Sequence, residues 1–274
     1  MSAHGIRVAG LATTPVKGLR VAARSQVLLE RGGVRGDRRF FLVDDRARMV
    51  NGKHLGALNT VEAALDDQEQ RLTLTFPDGG VVSGALERGP ELEATFFSRP
   101  RASRMLLGPF SAALSEHAGE PLRLAELAVG RPAVDRGEQG AVTIISRASL
   151  AALAQAAEEH EIDSRRFRMT IELTGVDAHE EDGWIGREVT IGEARVVLRG
   201  HVGRCIVTSR HPESGEVDLP TLDLLRSYRD GADTTEPLAF GVYGAVLREG
   251  VVCVGDEVEL GPALSDIPGR THSY

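Results

Sequence analysis

Arg195-Val-Val-Leu-Arg-Gly-His-Val-Gly-Arg-Cys205-Ile-Val-Thr-Ser-Arg-His-Pro-Glu-Ser-Gly215-Glu216 joins a β-branched run to a loop containing Gly200 and Gly203, and then to one of the chain's two cysteines. The spacing predicts a strand over 195–198 and a second over 205–209, with Cys205 where the loop re-enters the sheet. A guanidinium beside a thiol favours the thiolate, the form that ligates soft metals or attacks electrophiles. With Arg204 as its neighbour, Cys205 is the first candidate for chemistry. The competing reading is packing, because free cysteine is among the most buried residue types. Cys253, in Val251-Val-Cys-Val254 before a Gly-Asp turn, reads as core alone.

Outward from this stretch, the chain is a succession of short β segments. Runs at 6–11, 26–29, 39–43, 72–76 and 92–96 are β-branched, aromatic or alternating, and turn signals such as Gly32-Gly33, Asn51-Gly52 and Pro77-Asp-Gly-Gly80 divide them. A helix is predicted over 110–118, stopped by Gly119 and Pro121. A polar connection follows around 130–140, then a strand at 141–145, and Ser146 is placed to N-cap an Ala-rich helix running to about residue 160. Strands are predicted at 168–173, 188–191, 240–247, 251–254 and 257–260, with a third helix over 220–228 carrying Leu222, Leu225 and Tyr228 at helical spacing. The tail after Gly261 reads as loose. Many short strands with few helices give a mainly β (α+β) fold built on barrels or sandwiches.

The chain has 274 residues, enough for about two domains of ordinary size and a core that needs no disulfides. Its two cysteines show neither zinc-site nor disulfide-framework spacing, which implies a reducing compartment and a cytoplasmic location. No run of about 18 apolar residues and no signal-peptide core is present, so no membrane association is expected. A net charge of -8 with one Trp, three Tyr and eight Phe disfavours nucleic-acid binding. Of the 32 basic residues all but Lys17 and Lys53 are arginine. A compact ammonium suits a phosphate-facing point charge, which draws attention to those two. Gly32-Gly33-x-x-Gly36 leads into a strand rather than a helix and so fails as a dinucleotide loop. No G-x-S-x-G elbow and no H-x-x-x-H pair occurs. His201 and His54 are candidates for proton delivery, weighed against a location merely near a pocket or on the surface.

Several motifs occur in a fixed order. Thr14-Pro-Val-Lys-Gly-Leu19, Gly36-Asp-Arg-Arg-Phe-Phe-Leu-Val43 and the Asn51-to-Leu58 segment stand in the first part of the chain. Ser146-Arg-Ala-Ser-Leu150, Arg166-Phe-Arg168, Glu181-Asp-Gly-Trp-Ile-Gly186, Arg204-Cys-Ile-Val-Thr208, Phe240-Gly-Val-Tyr243 and Val254-Gly-Asp256 follow. Together they resemble the MOSC family with its N-terminal β-barrel domain, the family shared with the mitochondrial amidoxime-reducing component. The resemblance implies a MOSC N-terminal β-barrel domain over 1–109 and a MOSC β-barrel domain over 110–274. It implies a molybdenum cofactor, molybdopterin, with Cys205 as metal ligand and catalytic residue. Lys17, Gly18, Arg38, Ser146, Arg168, Arg204 and Tyr243 are its implied contacts, and pyridoxal phosphate is not expected.

The activity so implied is reduction of small N-hydroxylated or N-oxide substrates by oxygen-atom transfer. Electrons would come from a separate donor protein, since no cysteine-rich ferredoxin segment is present. No oligomeric state is implied. Two other classes fit the same motifs: a molybdenum-free MOSC-fold enzyme using Cys205 or its pocket, and a non-catalytic cofactor-binding or sulfur-carrier module. The chain departs from the family pattern at Gly18, where Ser is common, at Met169-Thr170, where Pro-Asn is common, and at His201-Val-Gly before Arg204. Restoring Ser at 18 and Asn at 170 is expected to add hydrogen bonds to the pterin.

Overall fold

The computed structural model describes residues 5–68, 70–96, 99–128 and 137–264. Residues 130–136 of the polar connection read around 130–140, and the tail from 265, lie outside the described residues; the rest of that connection is the 3-10 turn Gly137–Gly140. The larger sheet has eight strands, in the order Val258–Ala263, Arg187–Ile191, Ala194–Gly203, Ala239–Arg248, Val142–Ser146, Ile171–Thr174, Arg7–Thr13 and Ala22–Arg24. Its one parallel pair, Val142–Ser146 beside Ile171–Thr174, is joined by a crossover holding the helix Arg147–Ala156, as parallel pairing requires. The first strand also folds back on the last: the Val8 N–H donates to Asp256 O at 2.9 Å and the Val258 N–H to Ile6 O at 2.8 Å. The curled sheet encloses Val8, Leu11, Ile144, Ile171, Val189, Leu198 and Val242, all nearly free of solvent contact.

A second layer is built from a five-stranded sheet, Glu87–Phe96, Arg99–Leu107, Arg123–Leu127, Phe40–Val43 and Met49–Val50, and a three-stranded sheet, Glu62–Asp66, Arg71–Thr75 and Val81–Ala85. Helix α1, Phe110–Ala118, closes their core with Phe110 and Leu114, one turn apart and fully buried, against Phe40, Leu58, Leu72 and Leu124. It ends at Gly119 with φ of 71°, a left-handed cap that glycine adopts without a Cβ penalty. Helix α1 and strand Arg123–Leu127, which follow residue 109, thus pack with strands that precede it. Conversely, Arg7–Thr13 and Gln26–Glu30 pair with strands of the C-terminal half, Ile171–Thr174 and Gly250–Cys253.

Helix α2, Arg147–Ala156, is the crossover element, and Ser146 caps it as the sequence predicts, its Oγ accepting from the Ser149 N–H at 3.0 Å. The helix ends earlier than 160 because Glu158 turns left-handed at φ 55° and the Glu159 N–H bonds back to Ala154 O at 2.9 Å. The strand read over 205–209 is instead a 3-10 turn, Ile206–Ser209. Its cause is local: Cys205 O accepts from both the backbone N–H and the hydroxyl of Thr208, each at 3.0 Å, and such side-chain-to-backbone bonds compete with a sheet ladder. The strand before it runs on through the two glycines to Gly203. The strand read over 168–173 starts at Ile171, since Arg168 sits at φ 57°. Among the described residues no helix is long and apolar enough to cross a membrane.

Helix α3, Thr221–Tyr228, meets the sheet through a buried polar cluster. Glu181, fully buried, accepts from the Ser146 N–H at 3.0 Å and the Ser149 hydroxyl at 2.7 Å. Burial raises the Glu181 pKa, opposed by those bonds. The Ser149 hydroxyl also accepts from the His179 N–H at 2.8 Å, and the His179 ring meets the Tyr228 hydroxyl at 2.9 Å. Burial, with the nearby Arg229 charge, pulls the His179 pKa down to about 4 against the opposing pull of Asp182. In the unfolded chain this imidazole takes a proton near its ordinary value of about 6.5. The unfolded state therefore binds more protons between pH 6.5 and 4, and stability present above that window is lost as pH falls through it. The melting temperature should drop over that interval, and His179→Asn, which tolerates the left-handed backbone at φ 63°, should flatten this part of a pH series of thermal melts.

Candidate functional site

The turn after the first strand brings together four of the residues singled out in the sequence. The Thr14 N–H donates to Asp37 Oδ1 at 2.7 Å, the Arg38 N–H to Thr14 O at 2.7 Å and the Lys17 N–H to Phe40 O at 2.8 Å. Arg38 is 8% exposed; its guanidinium pairs with the Asp37 carboxylate and donates to Arg168 O at 2.8 Å. Lys17, Gly18, Arg38 and Arg168 therefore belong to one connected patch of backbone contacts. Gly18 lies at φ 98°, and a Cβ there would stand 3.3 Å from Asn51 Cα. The gain expected from Ser at 18 does not survive this geometry, because any side chain is strained by both conformation and the facing backbone. Thr170 is 2% exposed and its hydroxyl lies 3.2 Å from that of Thr143, so an Asn there would enter packed core.

Arg168 lines a recess together with Arg20, Arg165, Arg166, Arg210, Asn59 and Val207. Four carboxylates balance these guanidinium groups. Arg166 is held bidentately by Asp218 at 2.6 Å through each nitrogen, and hydrogen bonding from Arg166 keeps the Asp218 carboxyl below the usual carboxylate range. Glu213 lies 2.7 Å from Arg20 and 2.6 Å from Arg165; hydrogen bonding from Arg165 lowers its pKa. Asp163 and Glu62 pair with Arg165 and Arg20. The loop carrying Glu213 rests on residue 56 backbone to backbone: a Cβ on Gly215 would meet Gly56 O at 2.3 Å, and one on Gly56 would meet Gly215 O at 2.3 Å.

Cys205 stands at the start of the Ile206–Ser209 turn, two residues from Val207 in the recess wall, half-buried and unbridged. Arg204 is committed inward: Nε donates to Phe240 O at 2.8 Å and Nη1 to Phe167 O at 2.9 Å, Nη2 reaches Met169 Sδ at 3.0 Å, and the group lies 5.3 Å from the Phe167 ring centroid. Successive side chains along an extended backbone point to opposite faces, and Cys205 has φ -136° and ψ 175°. Adjacency of Arg204 and Cys205 in sequence is therefore not by itself adjacency of their side chains. Arg204 fastens the 3-10 turn Ser164–Phe167, and with it the approach to Arg168, to strand Ala239–Arg248.

The remaining expected contacts lie in other surroundings. Ser146 is fully buried, its hydroxyl 2.7 Å from that of Ser149 in the helix cap. Tyr243 pairs across the sheet with Thr143 and Gly200, its hydroxyl 3.0 Å from where a Gly200 Cβ would stand. His201 is 3% exposed: Thr235 N–H donates to its Nδ1 at 3.0 Å, and its Nε2 lies 3.6 Å from Asp182 Oδ1. Burial lowers its pKa, with Asp182 opposing. His54 is exposed in the turn after Asn51. Sequence reasoning missed Arg20, Arg165, Arg210 and Asn59. The run Ser164-Arg-Arg-Phe-Arg168 was an available signal, diluted in a chain where nearly every cation is arginine.

Two family models match the chain, the MOSC N-terminal beta barrel domain over residues 5–102 and the MOSC domain over residues 131–259. Mitochondrial amidoxime reducing component 2 of Bos taurus is 36% identical over 46% of this chain and 40% of its own length. Mitochondrial amidoxime-reducing component 1 of Xenopus laevis is 24% identical over 92% of this chain and 81% of its own. The chain spans 40% or less of the length of the first three curated relatives it matches. Among solved structures, the YuaD protein of Bacillus subtilis superposes with a TM-score of 0.45 at 12% identity, covering 94% of this chain and 96% of that one.

The site geometry makes Arg204 a structural fastener. Replacing it with Met should cost about 1.5–3 kcal/mol for each charge-assisted bond that is not replaced by water. Urea unfolding of Arg204→Met should show a midpoint well below that of wild type, whereas Gly18→Ser should lose stability by about 1–2 kcal/mol from the left-handed backbone alone.

Proposed function

Because the chain belongs to the MOSC domain proteins that carry an N-terminal MOSC beta barrel domain, we propose that it is a molybdenum-cofactor oxidoreductase that reduces N-hydroxylated or N-oxide compounds. Curated relatives named for amidoxime reduction support the oxidoreductase reading. The observation that carries it is the arginine-lined recess whose wall runs, through Val207, into the turn begun by a free Cys205.

The residues present fit such a cofactor. Its terminal phosphate needs donors, and Arg20, Arg165, Arg166, Arg168 and Arg210 line one cavity. Its metal needs a soft ligand, and the Cys205 thiol is unbridged. Among the described residues no three His, Cys, Asp or Glu side chains are grouped to hold a metal ion, so Cys205 would be a single protein ligand. When bound, the cofactor supplies two-electron oxygen-atom transfer at molybdenum. The chain's own part is to hold and orient. Arg168 and Lys17 anchor the anion, Arg38 fixes Arg168 through its carbonyl, and Arg204 fixes the turn leading to Arg168. The Cys205 backbone is set by its two bonds from Thr208. Reducing equivalents come from a separate donor protein, and the unpaired cysteines suit a cytoplasmic setting.

Expression in a host that makes the cofactor, followed by molybdenum and pterin analysis per chain, tests the reading. Wild type should carry both, and should reduce an amidoxime when supplied with an artificial reductant. Cys205→Ser should lose molybdenum and activity with an unchanged melting temperature, because an oxygen ligand is harder and donates less. Lys17→Ala and Arg168→Ala should retain cofactor about 10- to 100-fold less well, from a loss of about 1.5–3 kcal/mol per charge-assisted bond. Arg38→Ala is a poorer probe, because it strands the buried Asp37 carboxylate. Protein free of metal and pterin under these conditions overturns the proposal. Protein that binds both and reduces no N-oxygenated compound is instead a non-catalytic carrier.

A further inference from the structure

We propose that strand Val81–Ala85 is a self-association edge, which pairs antiparallel about Ser83 with the same strand of a second copy of this chain. The strand is an outer member of the three-stranded sheet it forms with Arg71–Thr75 and Glu62–Asp66. The Phe76 N–H donates to Gly80 O at 2.9 Å, so the ladder starts on a bonded pair. Bonded and non-bonded pairs alternate along an antiparallel ladder. Leu74–Val82 and Leu72–Gly84 are therefore bonded, and Val81, Ser83 and Ala85 turn their N–H and C=O groups away from the sheet. Among the described residues nothing bonds to those outward groups. All three residues are exposed, Val81 at 62%. Helix α1 leaves the edge open because it lies under the inner face, where a Cβ on Gly84 would stand 3.2 Å from Phe110 Cζ.

This edge differs from the others in carrying no protection. Native sheets guard exposed edges with charge, proline, brevity or cover. Each other edge strand among the described residues has one of these. Glu87–Phe96 carries Pro90 and Glu91, Val258–Ala263 carries Glu259 and Pro262, and Glu62–Asp66 begins and ends on a carboxylate. Ala22–Arg24, Gly33–Val34 and Met49–Val50 have three residues or fewer. Gly250–Cys253 is uncharged but covered: Val251 O accepts from the Glu193 N–H, and the Val251 N–H donates to Glu193 Oε2, each at 3.1 Å. Val81-Val-Ser-Gly-Ala85 has no charge, no proline and no bulge in its ladder.

Symmetry and charge identify the occupant. With Ser83 on a two-fold axis, Ser83 faces itself and Val81 faces Ala85 of the copy, and the outward groups of all three residues meet in bonded pairs. Two three-stranded sheets then become one of six strands. Asp78, exposed in the turn at one end of the edge, approaches the end of the copy where Arg71 stands in register with Ala85. Unlike charges thus meet at both ends of the antiparallel pair, whereas parallel pairing sets carboxylate against carboxylate. A foreign strand offers no such built-in match.

Sedimentation velocity of the full chain over a concentration series tests this. Wild type should pass from monomer to dimer between micromolar and millimolar concentration. Ser83→Pro removes an outward N–H and no bond of the strand's own ladder, and should weaken dimerisation about tenfold or more. If that variant fails to fold, Ser83→Lys decides: it sets two ammonium groups opposite each other across the axis and should weaken the dimer several-fold, more at low salt. Arg71→Glu should also weaken it, and adding Asp78→Arg should restore it. Bonded antiparallel pairs have Cα atoms about 5.5 Å apart, a distance a disulfide spans. Ser83→Cys should therefore cross-link as a homodimer with diamide, while wild type, which keeps Cys205 and Cys253, should not. Wild type that stays monomeric to millimolar concentration overturns the proposal and leaves the edge to a foreign strand. A dimer indifferent to both Ser83→Pro and Ser83→Lys, or one that Ser83→Cys does not cross-link, places the contact elsewhere and overturns it as well.

Discussion

The pairing of strand Arg7–Thr13 with Ile171–Thr174 is the constraint on which the rest of the structure depends. It is an antiparallel ladder between residues more than 150 positions apart, and it fixes where the chain must turn on leaving the sheet. The turn at 14–18 then falls against Arg38, which reaches Arg168 O, and the second layer, which takes in Phe40–Val43, is held by its own connection to the eight-stranded sheet. Had this strand paired at an edge remote from Ile171–Thr174, Lys17 and Arg168 would belong to separate surfaces. The site is a product of topology before it is a product of side-chain chemistry.

Electrostatics in the recess follow a second constraint. Guanidinium groups brought this close repel one another unless countercharges stand between them, and burial raises the cost of leaving any of them unmatched. Asp163, Glu213 and Asp218 fill that role. They hold the arginines in fixed forks. Glu213 is the least buried of the set, half-exposed on the loop that rests against Gly56, and it bridges Arg20 and Arg165 with a carboxylate of the same sign as the expected ligand.

Much of this was legible in the sequence where a local rule decides the outcome. Helix α1 runs from Phe110 to Ala118 as the Gly119 stop implies, and Ser146 caps α2 because a hydroxyl at that position has one strong local partner. The elements that went astray did so where a nonlocal or competing bond won. Residues 206–209 have strand-like composition, yet Thr208 satisfies Cys205 O locally and bends the chain into a turn. Arg204 beside Cys205 suggested a charged neighbour for the thiol, but the arginine's acceptors lie on two other elements that no sequence rule brings near it.

The long-range ladder of the first strand also bears on how the molecule comes into being. Ribosomes deliver the N-terminal strand first, while its partner at Ile171–Thr174 and the closing contact with Asp256 arrive late. At about 5–20 residues per second the interval is on the order of ten seconds, long beside the microseconds in which a hairpin forms. During that time the half-apolar segment around Val8 and Leu11 has no sheet to join. The layer from Phe40 to Leu127 can condense meanwhile, since its strands pair among themselves. The nascent chain would therefore emerge as a folded middle trailing an unsatisfied leading strand, and shielding that strand falls to whatever meets it outside the exit tunnel.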